Sequence, residues 1–211
     1  MARRKHHDAR LTREAVLDSA ERCFRLQGGA HASVESIAAR AGWSRGAATY
    51  HFRGKADLLR AVLARGQLPL TRDLARIART SGPVIPALRQ CAHRWMHALQ
   101  SEPHARNAFG ILAWAYDYAD DYAGIRRDMR VAAARGLRRL RGLMQRAAAA
   151  GELREGLGGR ECARLLAAWW LGAASMAVST PRGNEAAIRP CRPSAIETIF
   201  TLISGEARAN Q

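Results

Sequence analysis

Residues 33–52 read SVESIAARAGWSRGAATYHF, a stretch with the layout of two short helices joined by a tight turn. Ser33 and Ser44 each stand where a side-chain oxygen can accept a hydrogen bond from the first turn of a helix. Gly42 lies between the two helices, where glycine most easily adopts a left-handed backbone. Ala38 is small enough to let the helices approach each other closely. The stretch therefore predicts a helix-turn-helix.

The second helix of this motif presents its N-terminal end to the outside of the predicted hairpin. Arg45, Gly46, Ala47 and Tyr50 lie near that end. A helix end of this kind fits the major groove of duplex DNA, where arginine is the commonest reader of guanine. The motif therefore indicates DNA binding.

The charge of the chain favours a polyanionic partner. Its 211 residues carry a net charge of +16, and the pI is about 11.3. Residues 1–66 hold 13 Lys and Arg against 6 Asp and Glu, a net +7. Residues 67–211 hold 21 against 12, a net +9 over more than twice the length. The positive charge is densest around the motif, although a codon bias toward arginine would produce a similar excess.

Around the motif, the sequence resembles the N-terminal domain of TetR-type transcriptional regulators. Residues 10–63 share RLTREAVLDSAERCF, then a Gly, then SVxxIAxRAGxSRGAxxxHFxxKxxLL with that family. The resemblance implies that Arg45, Gly46, Ala47 and Tyr50 lie along base edges. Ser44, which caps the start of this helix, is also predicted to bind DNA. It further implies contacts with the DNA backbone by Thr49, His51 and Lys55, and by Ser33 and Val34.

The chain departs from the family pattern at a few positions in this region. Thr49 stands where the family usually has Tyr, which shortens a phosphate contact that the adjacent Tyr50 can replace. Trp43 stands where Val or Ile is usual. Ser36 stands where an acidic residue is usual, so the capping box with Ser33 is expected to be incomplete.

The remainder of the chain is predicted to be helical, because no stretch alternates like a strand. The sequence predicts an all-α fold of around nine helices, with a helix-turn-helix domain of three helices over residues 1–66. Residues 67–211 are expected to form a second helical domain, which the resemblance implies binds an inducer and dimerises. Helices are predicted over 12–27, 34–41, 45–52, 55–66, 84–100, 104–120, 122–150, 160–179 and from 194 onward.

Several classes of protein are excluded by the sequence. No apolar stretch follows the basic N-terminus, so no signal peptide is expected, and the 14-residue apolar run 165–178 falls short of the roughly 20 residues of a membrane span. Four widely spaced cysteines without a CxxC pair argue against zinc and against a disulfide scaffold, and favour the cytoplasm. No nucleophile and base pair, phosphate loop or metal cluster is apparent. The sequence predicts neither an enzyme nor a cofactor.

Candidate ligand-binding side chains lie in the second domain. Trp114, Asp117, Tyr118, Asp121 and Tyr122 share one helix face, provided that the helix continues that far. Aromatic rings with carboxylates suit an organic cation; alternatively, the rings belong to the core and the acidic residues solvate a helix end. Further apolar wall is expected from Trp95, Phe109, Met129, Trp169 and Met176.

The helix predicted over 160–179 is apolar nearly all round, so two of its sides must be buried. One side can pack in its own domain and the other against a second subunit, with the last helix completing a four-helix interface. A palindromic DNA site calls for a two-fold dimer, which favours this arrangement over a single monomeric core. The expected interface residues are Leu166, Trp170, Ala173, Ala177, Ile196, Ile199, Phe200 and Ile203.

The hypothesis best supported by the sequence is a dimeric repressor that a small hydrophobic or cationic inducer releases from palindromic operator DNA, for example at an efflux operon. One alternative is a regulator that senses oxidants through Cys23, Cys91, Cys162 or Cys191. Another is a helical small-molecule-binding protein without a regulatory role. His93 and His97 have the spacing of metal ligands, but no third ligand is apparent, so no metal site is expected.

Overall fold

The computed structural model of the chain describes residues 2–66, 70–113, 122–179 and 193–205. Within these ranges the chain is α-helical, with one isolated bridge between Leu153 and Ser204. The prediction of an all-α fold is confirmed. The helices are α1 Ala2–His31, α2 Val34–Arg40, α3 Arg45–His51, α4 Lys55–Arg65, α5 Leu70–Arg79, α6 Val84–Ser101, α7 Pro103–Ala113, α8 Ala123–Ala149, α9 Gly159–Ser179 and α10 Pro193–Ile203.

Helix α5 is the one that the sequence analysis did not predict. Its inward face carries Leu74 and Ile77, but also Asp73, which is only 8% exposed. Arg94 of α6 pairs with Asp73 through Nε and Nη2, each 3.0 Å from Oδ2. The buried carboxylate interrupts the apolar periodicity by which a helix is recognised in sequence.

Residues 1–67 and 107–128 form the first of two compact units. The long helix α1 packs against α2, α3 and α4 through a buried face that includes Leu17 and Phe24. Inside this unit, the Ser19 hydroxyl donates to the Ile37 carbonyl at 2.8 Å and so ties α1 to α2. A buried polar group with a partner fixes the relative position of two helices without an unpaired donor.

The segment 107–128 is fastened to the rest of the first unit by polar contacts. The Asn107 amide donates to Glu21 Oε1 at 2.6 Å, and Glu21 is only 5% exposed. The Arg25 guanidinium lies so close to Gly110 that a Cβ at this glycine would come within 2.6 Å of it. The first unit therefore contains this later segment in addition to the predicted domain of residues 1–66.

Residues 68–106 and 129–211 form the second unit, in which α6 packs against α5, α9 and α10. The Glu152 carboxylate accepts hydrogen bonds from the backbone N–H groups of Val84 at 2.9 Å and Ile85 at 2.8 Å. A carboxylate at this place satisfies two free donors and stabilises the positive end of the α6 dipole. At Gly159 a Cβ would lie 2.6 Å from the Met144 carbonyl oxygen, so glycine permits the close approach of α9 to α8.

Candidate nucleic-acid interface

The first helix of the motif, α2, begins with a complete capping box. The Ser36 N–H donates to Ser33 Oγ at 3.0 Å, and the Ser33 N–H donates to Ser36 Oγ at 3.1 Å. The expectation of an incomplete box was wrong because a serine hydroxyl at the third position can accept as an acidic side chain does. Ser33 is therefore engaged in its own helix, and its predicted role near the DNA backbone remains a prediction.

The turn between α2 and α3 depends on a left-handed residue. Gly42 has φ +76°, and no atom lies within 4 Å of the position that its Cβ would occupy. The backbone conformation, rather than a lack of space, thus favours glycine here. The Trp43 N–H donates to the Ala38 carbonyl at 3.0 Å, which closes the end of α2.

The second helix, α3, is held from one side and exposed on the other. Ser44 Oγ accepts from the Ala47 N–H at 3.2 Å, and Ala48 is the buried residue of the helix. Arg45, Gly46 and Tyr50 are exposed, and Tyr50 reaches 81% exposure. A large aromatic side chain left in solvent at a helix end is a candidate contact with a partner. The predicted reading face is accessible in the folded protein.

The side chains predicted to contact phosphates differ in how far they are engaged in contacts within the protein. Thr49 Oγ1 donates within α3, at 3.1 Å from the carbonyl oxygens of both Arg45 and Gly46. The half-buried His51 ring meets the Tyr50 ring edge to face, with centroids 5.0 Å apart. Val34 is half-buried in the first turn of α2. A donor at Thr49 would have to leave an intrahelical bond to reach DNA.

Lys55 begins α4, and its ammonium group lies over an aromatic ring. Its Nζ is 5.5 Å from the centroid of Tyr122, which is fully buried within the first unit. This distance is within the range of a cation–π interaction. Tyr122, predicted as a ligand contact, thus supports the lysine for which a phosphate contact was predicted.

Two exposed arginines next to the motif were not among the residues predicted to contact DNA. Arg40 lies in the last turn of α2, and Arg53 precedes α4. Neither guanidinium has an ion pair with any residue that the structure describes. Their signal in the sequence was only their position beside the motif. Together with Arg45 they give the motif a surface suited to phosphate oxygens.

Helix α4 is anchored to α1 by one arginine. Arg65 lies 2.7 Å from Asp18, 3.6 Å from Glu14 and 4.0 Å from Glu21, measured between nitrogen and oxygen atoms. Because Arg65 is mostly buried and meets several carboxylates, this cluster orients α4 more firmly than an isolated surface pair would.

The predicted ligand-binding residues fall in different places. Trp114, Asp117, Tyr118 and Asp121 lie outside the described residues. Phe109 and Tyr122 belong to the first unit, and Trp95, Met129, Trp169 and Met176 to the second. Trp95 is buried and meets the Trp170 ring edge to face at 6.5 Å between centroids, whereas Met176 is 47% exposed. That the acidic residues Asp117 and Asp121 share a helix face with the aromatic residues therefore stays a prediction.

Most residues predicted for the dimer interface are buried within their own unit. Seven of them are already covered within the single chain, where α6 packs against both α9 and α10. Ile199 alone is half-buried. These seven side chains therefore offer no free surface to a second subunit. The seven are Leu166, Trp170, Ala173, Ala177, Ile196, Phe200 and Ile203.

The apolar residues that remain exposed on α9 and α10 form a different set. Leu165, Leu171 and Met176 are exposed on α9, and Leu202 is exposed on α10. We call these four residues the exposed apolar face. The sequence predicted that α9 has two apolar sides, but burial against α6 decides which side is left for other contacts.

The described cysteines are poor candidates for a redox sensor. Cys23, Cys91 and Cys162 are buried, and Cys191 lies outside the described residues. Burial raises the pKa of Cys91 to about 12, and the nearby Asp73 carboxylate adds to the shift. Burial also raises the pKa of Cys162. A thiol that stays protonated reacts slowly with oxidants.

The two histidines with the spacing of metal ligands, His93 and His97, are engaged in separate contacts. His93 Nε2 is 2.8 Å from Glu197 Oε1, and His97 shares a hydrogen bond with Ser101, so each histidine has a different partner. Across the described ranges, no group of three or more His, Cys, Asp or Glu is arranged to hold a metal ion. In the same ranges, no helix combines the length and apolarity needed to cross a membrane.

Known proteins similar to this chain are transcriptional regulators. The profile described as bacterial regulatory proteins, tetR family, matches residues 16–62. The HTH-type transcriptional regulator SrpR of Pseudomonas putida is 33% identical over 156 residues, which cover 72% of this chain and 68% of SrpR. TtgW, an uncharacterized HTH-type transcriptional regulator of Pseudomonas putida, is 38% identical over 96 residues, which cover 44% of this chain and 72% of TtgW.

The similarity to solved structures extends along almost the whole chain. The complex of SmeT with triclosan covers 92% of this chain and 91% of SmeT, with a TM-score of 0.73 at 28% identity. A further structure identifies SmeT as the repressor of the Stenotrophomonas maltophilia multidrug efflux pump SmeDEF, with a TM-score of 0.69 at 27% identity. The second unit, and not only the helix-turn-helix, therefore has counterparts in regulators of this kind.

Proposed function

Because the chain belongs to the tetR family of bacterial regulatory proteins, we propose that it is a dimeric repressor that a small molecule releases from its operator. Like its relatives, it is a DNA-binding transcriptional regulator and not an enzyme. The proposal concerns the finer points: which residues read DNA, how two copies assemble, and what kind of molecule the second unit binds.

The observation that carries the proposal is the exposed outer face of α3 on a packed scaffold. Arg45 and Tyr50 project from a helix that Ala48 and the Ser44 cap hold in place. Side chains on the exposed face of a helix that lies in the major groove can reach base edges. Arg40, Arg53 and Lys55 add positive charge beside them for phosphate contacts.

For assembly, we propose that the exposed apolar face of α9 and α10 forms a two-fold interface. Leu171 is 64% exposed and Leu202 is 52% exposed, which is costly for residues of this type in water. Two copies that pair these helices would bury the face and place two copies of α3 for the two halves of a palindrome. The residues first expected at the interface support it from beneath.

For the inducer, we propose a small hydrophobic or cationic molecule bound by the aromatic side chains of the helical region after residue 67. The triclosan complex of SmeT is a precedent in a protein of the same fold. The ligand lowers operator affinity by its preference between two arrangements of the dimer.

The regulated genes are proposed to encode an efflux system. SmeT represses a multidrug efflux pump, and it is similar to this chain along most of both sequences. A repressor that releases DNA when it binds a toxic compound would link exposure to that compound with its export. The alternative of oxidant sensing finds no support in the buried Cys23, Cys91 and Cys162.

The test is a fluorescence-anisotropy titration at physiological salt with DNA from upstream of the gene and with scrambled DNA of equal length. A preference of about 10³-fold or more for the upstream DNA is expected. Arg45→Gln should abolish the preference, whereas Arg22→Gln, an exposed arginine on α1, should keep it. If the upstream DNA shows no preference, binding sites are selected from genomic DNA fragments. Equal affinity for these selected sites and for scrambled DNA would refute specific regulation.

Assembly and induction need separate measurements. Leu171→Glu with Leu202→Glu should convert a dimer to a monomer in light scattering, while Leu26→Glu, which alters an 80% exposed residue of α1, should not. A screen against the operator complex should find compounds that release DNA. The inducer hypothesis fails if compounds that bind the second unit leave operator affinity unchanged.

A further inference from the structure

Helix α8 carries an unusual run of positive charge in the second unit. Residues 129–151 contain six arginines and no acidic residue. Arg146 donates to the Ile77 carbonyl at 3.3 Å and so has a structural role. The run lies outside the helix-turn-helix, and neither the fold nor the proposed inducer site accounts for it.

Four of these arginines are exposed on the same side of the helix. At roughly 100° per residue, they fall within an arc of about 140°. The opposite side is buried through Leu140, Leu143, Met144 and Ala147. We call the four exposed residues the arginine face: Arg130, Arg135, Arg138 and Arg141.

The guanidinium groups of the arginine face are not bonded to other described residues of the chain. Within the parts of the chain that the structure describes, none of the four has a hydrogen bond or an ion pair. Elsewhere in the same unit, Arg94 pairs with Asp73, and Arg89 lies 3.7 Å from Glu197. Like charges at i and i+3, as at Arg138 and Arg141, weaken a helix slightly. The arrangement therefore favours an external anion.

The helix is also uncovered where the arginine face begins. All six residues from 130 to 135 are exposed. From Arg130 to Arg141 the helix rises about 16 Å. Duplex DNA carries one phosphate charge per about 1.7 Å of its axis when both strands are counted, so a duplex of this length carries about ten charges, of which those on the near side face the helix. Arginine binds such oxygens through two parallel donors.

We propose that the arginine face of α8 is a second DNA-binding surface, which holds the phosphate backbone of duplex DNA without regard to sequence. It acts in addition to α3, which reads bases. A sequence-independent hold raises the local concentration of DNA around the protein and speeds the search for an operator.

Two other occupants fit the arginine face less well. A membrane-surface helix inserts its apolar side into lipid, but Leu140, Leu143 and Met144 are already buried in the protein. A second copy that paired its α8 with this one would bring four more arginines against the same surface, and like charges repel. Duplex DNA satisfies the charge and needs no apolar contact.

The test uses the full chain with Arg45→Ala and Tyr50→Ala, so that base reading by α3 is removed. In this background, the arginine face is changed to glutamine at all four positions. The matched control changes Arg72, Arg79, Arg160 and Arg164, exposed arginines of α5 and α9, to glutamine and removes the same charge. Circular dichroism and light scattering verify that both variants keep the fold and the oligomeric state.

Binding to scrambled duplex DNA is measured by anisotropy between about 50 and 200 mM salt. Loss of four phosphate contacts should lower the slope of log K against log salt by about 3 to 4 per protomer, and affinity at the upper salt by at least about tenfold. The control should change the slope by less than about 1. An equal loss in both variants, or no loss in either, would overturn the proposal.

Binding of the same variants to vesicles of phosphatidylglycerol in phosphatidylcholine is measured to test the alternative of a membrane role. If the arginine face were needed for vesicle binding but not for DNA binding, a membrane role would replace the proposal. Operator preference is measured separately with Arg45 and Tyr50 intact. A protein without operator preference would contradict the proposed function, yet the result on scrambled DNA would still decide the role of the arginine face.

Discussion

The contact between Lys55 and Tyr122 gives a sharp test of how the segment 107–128 affects DNA binding. We expect that Tyr122→Leu lowers operator affinity, because it removes the ring on which the ammonium group rests at 5.5 Å. A cation–π interaction is worth about 0.5–1 kcal/mol at exposed sites and about 2 kcal/mol when desolvated. Lys55 is half-buried, so the contact is worth about 1 kcal/mol per protomer. Because it is already present in the protein without DNA, this figure is the upper bound on what positioning of the ammonium group by the ring contributes to DNA binding.

In a dimer that uses both lysines, the loss is at most about 2 kcal/mol, or about 30-fold in Kd. Tyr122→Phe keeps the ring and should remain within about threefold of the wild type. Ile125→Ala is the control for stability, because it opens a buried site in the same segment without touching Lys55. It should lower Tm but leave operator affinity unchanged at temperatures well below the transition.

The deciding assay is a double-mutant cycle in operator titrations with Tyr122→Leu, Lys55→Met and the two combined. If the ring acts through the lysine, the combined variant binds no more weakly than Lys55→Met alone. Additive losses, with a coupling below about 0.3 kcal/mol, would refute the reasoning. The ring would then contribute to packing only.

Other contacts lead to predictions about the turn, the α6 cap and the buried thiol. Gly42→Ala should lower the free energy of unfolding by at least about 1 kcal/mol and weaken operator binding, because alanine rarely adopts φ +76°. The control, Gly142→Ala inside α8, should be neutral or stabilising. Both variants are measured by thermal melting and by operator titration. Glu152→Ala should lower Tm by about 4–8 °C, measured by calorimetry, since two charge-assisted hydrogen bonds to α6 worth about 2 kcal/mol are lost; an unchanged Tm would show that water replaces them. Cys91, with its pKa raised to about 12, should resist iodoacetamide at pH 8 in the native state and react after unfolding; rapid native labelling would contradict its burial. Because this pKa lies above the ordinary value of 9.0, the thiol stabilises the fold below pH 9 and loses that contribution as pH rises toward 12, so Cys91→Ala should flatten the fall in stability over that range.

Features that depend on neighbours in sequence were the most predictable. Ser33, Gly42 and Ser44 predict the helix-turn-helix, because helix caps and left-handed turns depend on residues only a few positions apart in sequence. The capping box at Ser36 was misjudged only because serine replaced the usual acidic residue.

Features that depend on distant partners could not be predicted in the same way. Helix α5 was missed because Asp73 is buried by Arg94, a partner more than twenty residues away. On α9 both sides are apolar, so sequence could not decide that Leu166 and Trp170 pack inward while Leu165 and Leu171 stay exposed. Packing against α6 distinguishes the two sides.

The compact unit made of residues 1–67 and 107–128 has a consequence for building hybrid regulators. A chimera that joins this DNA-binding region to a foreign sensor through one cut near residue 67 would separate Glu21 from Asn107, and Lys55 from Tyr122. The carboxylate of Glu21 would then lose the Asn107 amide from which it accepts a hydrogen bond. A functional graft needs two seams, with the segment 107–128 carried along, so that the sensor is inserted into the DNA-binding unit rather than appended to it.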